Sequence, residues 1–407
     1  MLASLLPLFD ADMAVSSYSL FSQSENPLLN PLLLSTEKNT NIGQVYGLEI
    51  IDSVGTETLS GDKEIFVPVN NISIFTELEI KCKTDHSKIV LLIDNTVTPD
   101  EMYINRIREL KENGFGFAIC KLEVKSFETY KPILSMVDYI YLDYKRIDIS
   151  KAKIYFSAVY PNIKLIAENI QTVDDFEMLK AQGGYHFFEG PFYRIPITKG
   201  ETEVAPLKIN YIELLNLINA PDFDLSDAAD VISRDTALVI SLLEIVNKMS
   251  RNSKITSIQH AASMLGQKEL KKWITTAVTK ELCFDKPNEI TRISLLRAKF
   301  AENLADTFDM KLKSQELFLM GLFSVLDIIL SKPMEEALNL VNVSKGISDA
   351  LLNESGEFYK VLYFVKAYEA ADFTELNRLE IVDGVNMTKV YDDYKDALIW
   401  FKNLFNK

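Results

Sequence analysis

Side chains that act as nucleophiles, bases or soft metal ligands are few in this sequence. The histidines and cysteines of the chain are His86, His186, His260, Cys82, Cys120 and Cys283. No Cys-x-x-Cys pair is present, so neither a disulfide framework nor a thiolate zinc site is indicated. Gly-x-Ser-x-Gly, Walker-type and His-Glu-x-x-His motifs are also missing. A lone histidine is more often a packed or surface residue than a ligand, which is the interpretation favoured here.

Asp143 and Glu168 are carboxylates at the ends of apolar runs. Asp143 ends YIYLD (139–143), and Glu168 ends IKLIAE (163–168). Such a carboxylate commonly accepts backbone N–H bonds or pairs with a basic neighbour such as Lys121. The alternative is residual binding of a hard cation, and the structural role is favoured.

The elements around these residues change character along the chain. Five apolar runs in the first half predict buried parallel strands, at 65–69, 88–94, 116–120, 139–143 and 163–168. Between them, one helix is predicted from Thr98 as N-cap to Gly114, and another from Thr172 as N-cap to Gly183. Alternating strands and helices indicate a barrel or a doubly wound sheet. Closely spaced helix patterns follow from residue 207, after a polar linker at 196–206, and the last two lie at 356–370 and 389–405.

Charge and composition narrow the kinds of partner. The formal charge is −15 and the pI is about 4.9, so the surface repels phosphate backbones and anionic lipids. The start, MLASLLPLFDAD, is a poor signal peptide. The apolar run at 317–330 is too short to span a bilayer. We therefore expect a cytoplasmic protein that binds neither nucleic acid nor membrane.

Ordered motifs along the chain resemble the EAL–HDOD class of bacterial signalling proteins. LPLFDADMAVSSYSLFSQ, VDYIYLD, KLIAENIQT and GYHFFEGPFYRIP resemble EAL motifs, and LLNLINAPDFDLSDAADVISRDTALVISLLEIVNKMS with SIQHAASMLGQKELKKW resembles the HDOD opening. The resemblance implies a TIM-like, EAL-type α/β barrel at 1–203, followed by an all-α HDOD domain at 204–407. The stretch 24–64 is short for an EAL domain, so an incomplete barrel is left open as an alternative to a complete one.

Active EAL members hydrolyse cyclic di-GMP with two divalent metals, and the resemblance implies where their site residues fall. The matching positions are Ser19, Asn70 or Asn71, Leu92, Cys120, Lys121, Tyr141, Asp143, Glu168, Gln171 and Glu189. Two-metal hydrolysis needs clustered oxygen ligands, and a lysine repels cations. We therefore expect no metal, no cofactor and no catalytic residue. The residual EAL-site positions are Asn70, Asp143, Glu168 and Glu189.

The HDOD resemblance implies a helical relative of the HD phosphohydrolases that has lost its metal ligands. Ser324 stands where a ligand would be, and Asp327 stands alone. SIQHAASMLGQKELKKWITT also fits a helix-turn-helix with its turn at Gly266, but the absence of an arginine cluster favours an ordinary helical pair.

These expectations favour a signal-transduction or scaffold protein that is not an enzyme. It would act through contacts with an unknown protein partner, with a homodimer as one option. The alternative is a cyclic di-GMP receptor that keeps a ligand groove. The arginine that holds a phosphate in the family falls on Gln23, which carries no charge, so we expect cyclic di-GMP binding to be weak or absent.

Overall fold

The structure is a computed structural model that describes residues 1–29, 44–194, 206–220, 223–249, 255–282, 288–341 and 343–405. The chain divides into two compact units. The first comprises Met1–Ile195, Asn303–Leu312 and Tyr363–Lys407, and the second comprises Pro196–Glu302 and Lys313–Leu362. The predicted single boundary between 203 and 204 differs from this division because two C-terminal segments belong to the first unit. The predicted linker at 196–206 falls almost wholly outside the described residues.

Eight strands form a closed barrel in the first unit. They are β1 (Leu2–Phe9), β2 (Val15–Gln23), β3 (Ile65–Pro68), β4 (Ile89–Ile93), β5 (Gly116–Ile119), β6 (Tyr139–Asp143), β7 (Lys164–Glu168) and β8 (Phe187–Glu189). Strands β2 to β8 run parallel, while β1 is antiparallel to both of its neighbours. The α/β barrel is confirmed, and the option of an incomplete barrel is wrong.

The five apolar runs are confirmed as strands β3 to β7. Their side chains are apolar nearly throughout because one face packs into the barrel and the other packs under the surrounding helices. The barrel interior is filled by Leu8, Phe66, Val90, Leu92, Ala118, Tyr139, Tyr141 and Ile166. Closure depends on a short contact, since β1 and β8 pair only through Leu8↔Glu189 and Phe9↔Phe188.

Helices surround the barrel and make up the second unit. In the first 194 residues they are α1 (Tyr46–Val54), α2 (Thr56–Ser60), α3 (Leu78–Lys81), α4 (Glu101–Glu112), α5 (Lys131–Leu134), α6 (Ile149–Val159) and α7 (Val173–Gln182). Short 3₁₀ segments are Ser73–Phe75, His86–Lys88, Val124–Ser126, Pro191–Arg194 and Lys311–Lys313.

The later helices are α8 (Pro206–Asn219), α9 (Leu225–Ile232), α10 (Thr236–Met249), α11 (Ile258–Leu282), α12 (Asn288–Asn303), α13 (Ser314–Phe323), α14 (Leu326–Leu330), α15 (Met334–Asn339), α16 (Lys345–Leu352), α17 (Glu357–Glu369), α18 (Phe373–Val382) and α19 (Met387–Phe405). This confirms the helical second half. Helix α18 was not predicted. Within the described ranges, no helix is long and apolar enough to cross a membrane.

The predicted helix ends are partly right. The side chain of Thr172 accepts the Asp175 N–H at 3.1 Å, which confirms it as the N-cap of α7. Thr98 as N-cap of α4 is wrong. Its hydroxyl donates to the Asp100 carboxylate at 2.5 Å, and the extended residue Asp100 is the N-cap, so the helix begins later. In α11, Gly266 has a φ of 71° and breaks the helix, which places the predicted turn there.

The C-terminal segment of the first unit packs on β1. The N–H of Ala3 donates to the hydroxyl of Tyr368 at 3.2 Å, and the Ser4 hydroxyl donates to the carbonyl of Glu369. Ala3 and Ser4 lie beyond the two residues that pair with β8. The C-terminal helices therefore satisfy a part of the β1 edge that the barrel leaves open.

Gly190 directly follows β8 and lies against the backbone of Ile170. Its φ is 144°, and an added Cβ would stand 2.1 Å from the Ile170 carbonyl oxygen. We expect Gly190→Ala to destabilise the first unit by about 2 kcal/mol or more, because overlap and backbone strain add.

The matched control is Gly61→Ala, where φ is 62° but no atom lies within 4 Å of the added Cβ. This variant carries only the backbone cost of about 1 kcal/mol. Urea unfolding followed by circular dichroism measures both variants. Equal losses would show that the close approach to Ile170 does not matter.

Candidate functional site

A cavity of about 330 Å³ opens at the carboxyl ends of the barrel strands. It is lined by Leu6, Ser19, Phe21, Pro68, Val69, Asn70, Leu92, Asp94, Cys120, Lys121, Tyr141, Glu168 and Glu189. Because the parallel strands β2 to β8 all point the same way, their last residues meet at this end. We call this cavity the barrel mouth.

The barrel mouth gathers most of the positions that the resemblance singled out. Those brought together are Ser19, Asn70, Leu92, Cys120, Lys121, Tyr141, Glu168 and Glu189. Asn70 and not Asn71 lines the cavity. Asp143 and Gln171 are not among the lining residues. The charge of Asp143 still raises the pKa of Glu168. The Gln171 amide donates to the side chain of Asn169.

A neutral pair occupies one side of the barrel mouth. The hydroxyls of Ser19 and Tyr141 lie 3.3 Å apart, and both side chains are buried. Burial raises the pKa of Tyr141 well above its ordinary value. At these two positions the chain therefore holds two uncharged hydroxyls in mutual contact.

Carboxylates crowd the other side. Burial raises the pKa of Glu168 to about 7, and the charges of Glu189 and Asp143 add to that effect. Burial also raises the pKa of Glu189. The Asn169 N–H donates to its carboxylate at 3.1 Å, and this hydrogen bond partly offsets the rise in the pKa. Glu168 therefore exchanges a proton near neutral pH.

Lys121 pairs with a residue that the sequence did not single out. Its ammonium lies 3.2 Å from the carboxylate of Asp94. Burial opposes ionisation of Asp94, but bonds from Thr96 and from Lys121 outweigh it and hold the pKa below its usual range. The only signal for Asp94 was a carboxylate at the end of the apolar run 88–94.

Lys121 forms its ion pair with Asp94 and not with Asp143 or Glu168, although its charge acts on Glu168 and opposes the rise in the pKa of that carboxyl. Asp143 instead lies 3.2 Å from the guanidinium of Arg146 and accepts the Lys145 N–H at 3.0 Å. Arg146 follows three residues after Asp143, so a local turn satisfies this carboxylate before a more distant lysine can. The expectation that Asp143 has a structural partner agrees with this geometry.

The residues of the barrel mouth do not fit a two-metal centre. Among the described residues, no group of three histidine, cysteine or acidic side chains is arranged to hold a metal ion. The amide oxygen of Asn70 accepts the N–H groups of Ile72 and Ser73. Burial raises the pKa of the Cys120 thiol to about 12, so it offers no thiolate at neutral pH.

Gln23 lies at the end of β2 and faces the C-terminal segment. Its amide donates to the Asn377 side-chain oxygen at 2.6 Å, and the Asn377 amide donates back at 3.2 Å. Asn377 is buried on α18, and its backbone carbonyl also accepts from Asn26 at 2.8 Å. The position that the resemblance assigns to a phosphate-holding arginine is thus neutral and paired within the chain.

Each histidine has an ordinary environment. His86 stacks on Phe115 and bonds to two carbonyl oxygens, while His186 Nδ1 accepts the Leu165 N–H at 3.1 Å. His260 is exposed on α11. In the second unit, the Ser324 hydroxyl accepts from Arg297 at 2.7 Å and donates to the Gly321 carbonyl.

Comparisons with known proteins found a matching family model, two sequence relatives and similar solved structures. Residues 205–353 match the HDOD domain model. The uncharacterized protein YuxH of Bacillus subtilis is 27% identical over 363 residues, which covers 87% of each chain. The cyclic di-GMP phosphodiesterase CdgJ of Vibrio cholerae is 24% identical over 358 residues, which covers 86% of this chain and 82% of that protein. The solved structure of the EAL enzyme Bd1971 with cAMP and cyclic di-GMP is 14% identical, with a TM-score of 0.35; the match covers 46% of this chain and 60% of that one.

One expectation needs correction. The prediction that this chain is not an enzyme is wrong as an inference from missing motif residues, because a relative that spans most of the chain is a cyclic di-GMP phosphodiesterase. Motif positions taken from a resemblance cannot exclude catalysis at this degree of divergence. The chain therefore contains an HDOD domain after an eight-stranded α/β barrel, and it is related to cyclic di-GMP signalling enzymes.

Proposed function

We propose that this chain is a cyclic di-GMP-related signal-transduction protein whose output is contact with another protein. The reciprocal amide pair of Gln23 and Asn377 carries the proposal. Phosphate capture usually relies on a bidentate arginine or on a helix N-terminus. Here the side chain at the corresponding position, Gln23, is uncharged and hydrogen-bonded to Asn377 of the C-terminal segment.

The charges of the barrel mouth point the same way. Asp94, Glu168 and Glu189 line it, and Lys121 is the single cationic side chain among the lining residues that the structure describes. Lys121 pairs with Asp94. A ligand with two phosphates would face more negative than positive groups, and like charges in a partly desolvated cavity repel strongly.

We expect the full chain to bind cyclic di-GMP with a dissociation constant weaker than about 100 µM. Isothermal titration calorimetry with and without Mn²⁺ measures this affinity, and Lys121→Met is the matched variant because it keeps the length of the side chain. Binding at about 10 µM or tighter that Lys121→Met abolishes would contradict the proposal.

The protein contact needs its own experiment. An added Cβ at Gly321 would stand 2.6 Å from the Arg297 carbonyl oxygen, so Gly321→Ala perturbs the second unit, as Gly190→Ala perturbs the first. Affinity purification from the native bacterium, followed by reciprocal capture, should identify a partner that Gly190→Ala retains and Gly321→Ala loses. A reciprocal search that finds no specific partner would count against the proposal.

A cyclic di-GMP receptor is the second candidate function. The observation that favours it is the barrel mouth itself, a concave site whose Lys121 side chain is 66% exposed and so available to a ligand phosphate. The calorimetric experiment distinguishes the two candidates, because only a receptor shows saturable binding that depends on Lys121.

A further inference from the structure

The second unit contains a groove with an excess of lysine. The groove, of about 210 Å³, is bordered by Lys268, Lys271 and Lys272 from α11 and by the apolar side chains of Phe318 and Leu319 from α13. These three lysines follow the turn at Gly266 and fall within five residues of one another. We call this feature the lysine groove. A cluster of this kind stands out on a chain with a formal charge of −15.

Lys271 is the unusual member of the cluster. It is partly buried, and burial lowers its pKa. Among the residues that the structure describes, none forms a hydrogen bond or an ion pair with its ammonium. A partly desolvated charge without a partner costs free energy that neither fold nor packing recovers. A lysine that carries such a cost is typical of a functional site, where a ligand can supply the negative charge that the protein lacks.

The carboxylates beside the groove do not supply that charge. Glu302 borders it, but its carboxylate lies 2.7 Å from the ammonium of Lys299. Glu269 is exposed, and its charge does not contribute to the pKa shift of Lys271, which is caused by burial. The lysine groove therefore has unmatched positive charge beside apolar surface.

We propose that the lysine groove binds an acidic segment of a partner protein, with an apolar side chain of that segment against the partly exposed Leu319. The inference rests on the proposed function and specifies its partner chemistry. An acidic peptide matches both properties of the groove, since its carboxylates pair with the lysines and its apolar residue packs against Leu319.

A nucleic acid fits the groove less well. Nucleic-acid affinity comes from many phosphate contacts, whereas this groove has three lysines and no arginine. Two carboxylates, Glu269 and Glu302, border it and would face the phosphate backbone. The phenylalanine and leucine offer no hydrogen bond to a base edge.

The test uses the full chain and a fluorescein-labelled peptide of aspartate and glutamate with one central phenylalanine. Fluorescence anisotropy should show saturable binding that weakens as salt rises. We expect Lys271→Met to weaken binding by about tenfold or more, and Lys268→Met or Lys272→Met by about twofold to fivefold, because exposed charges contribute less. Lys248→Met, an exposed lysine on α10, is the matched control and should leave binding unchanged.

A second readout separates this role from a structural one. Lys271→Met removes a partly buried charge, so the melting temperature of the variant should stay equal or rise while its affinity for the peptide falls. A lower melting temperature would indicate a structural lysine and overturn the proposal. So would an affinity that Lys271→Met leaves unchanged, the absence of saturable peptide binding, or tighter binding of single-stranded DNA than of the peptide.

The outcomes are separable from those of the proposed function. If the peptide does not bind but reciprocal capture still identifies a partner that Gly321→Ala loses, the lysine groove is wrong and the proposed function stands. If no partner is found, the proposed function fails whatever the peptide does.

Discussion

Replacing Tyr368 with alanine will destabilise the first unit by about 3–5 kcal/mol, the range observed when a large buried aromatic side chain is truncated. Tyr368 is fully buried, and its ring lies 4.8 Å from that of Tyr394. Its hydroxyl accepts the N–H of Ala3 on β1. The substitution therefore opens a cavity and leaves a buried donor unpaired at the same time.

Tyr368→Phe separates these two effects. It keeps the ring and removes only the acceptor of the Ala3 N–H, which should cost about 1–2 kcal/mol. Tyr363→Ala is the matched control, because this tyrosine is 38% exposed and its hydroxyl donates to Glu375 near the surface. Urea unfolding and amide hydrogen exchange of β1 measure the losses. If Tyr368→Ala leaves exchange in β1 unchanged, the C-terminal segment does not support the barrel.

Replacing Glu168 with glutamine will stabilise the chain at pH 8 by up to about 3 kcal/mol and will have little effect at pH 5. Burial, with Glu189 and Asp143 nearby, raises the pKa of Glu168 from 4.5 to about 7 in the folded chain. The folded state therefore keeps a proton that the unfolded state releases. Stability is fully present below pH 4.5 and is lost as the pH rises through about 7.

Glutamine stays neutral, so the variant escapes this loss. Glu177→Gln, an exposed change on α7, is the control and should show no such pH dependence. Urea unfolding at several pH values gives the difference in free energy of unfolding, and hydrogen exchange localises it to β6 and β7. A stability difference between wild type and Glu168→Gln that does not change with pH would contradict the raised pKa.

The barrel mouth shows where inference from motif positions succeeds and where it stops. The positions Ser19, Asn70 and Glu168 lie far apart in the sequence, and the order of parallel strands brings them together. Residue type alone did not predict which contacts the charged side chains of this site would make. Lys121 forms an ion pair with Asp94, and Asp143 forms one with Arg146, because hydrogen-bond geometry and local turns determine the partners of each charged group.

Strands β3 to β7 could be predicted from the sequence, since buried parallel strands are apolar on both faces and stand out as continuous runs. The same holds for the helical second half, the cap at Thr172 and the break at Gly266, all of which depend on local backbone preferences. Closure of the barrel was not predictable in this way, because it depends on two residue pairs between β1 and β8, which lie at opposite ends of the barrel sequence. Only the tertiary structure revealed α18 and the pairing of Asn377 with Gln23, which lie 354 residues apart. Contacts between such distant residues depend on packing of the whole chain, and no local pattern records them.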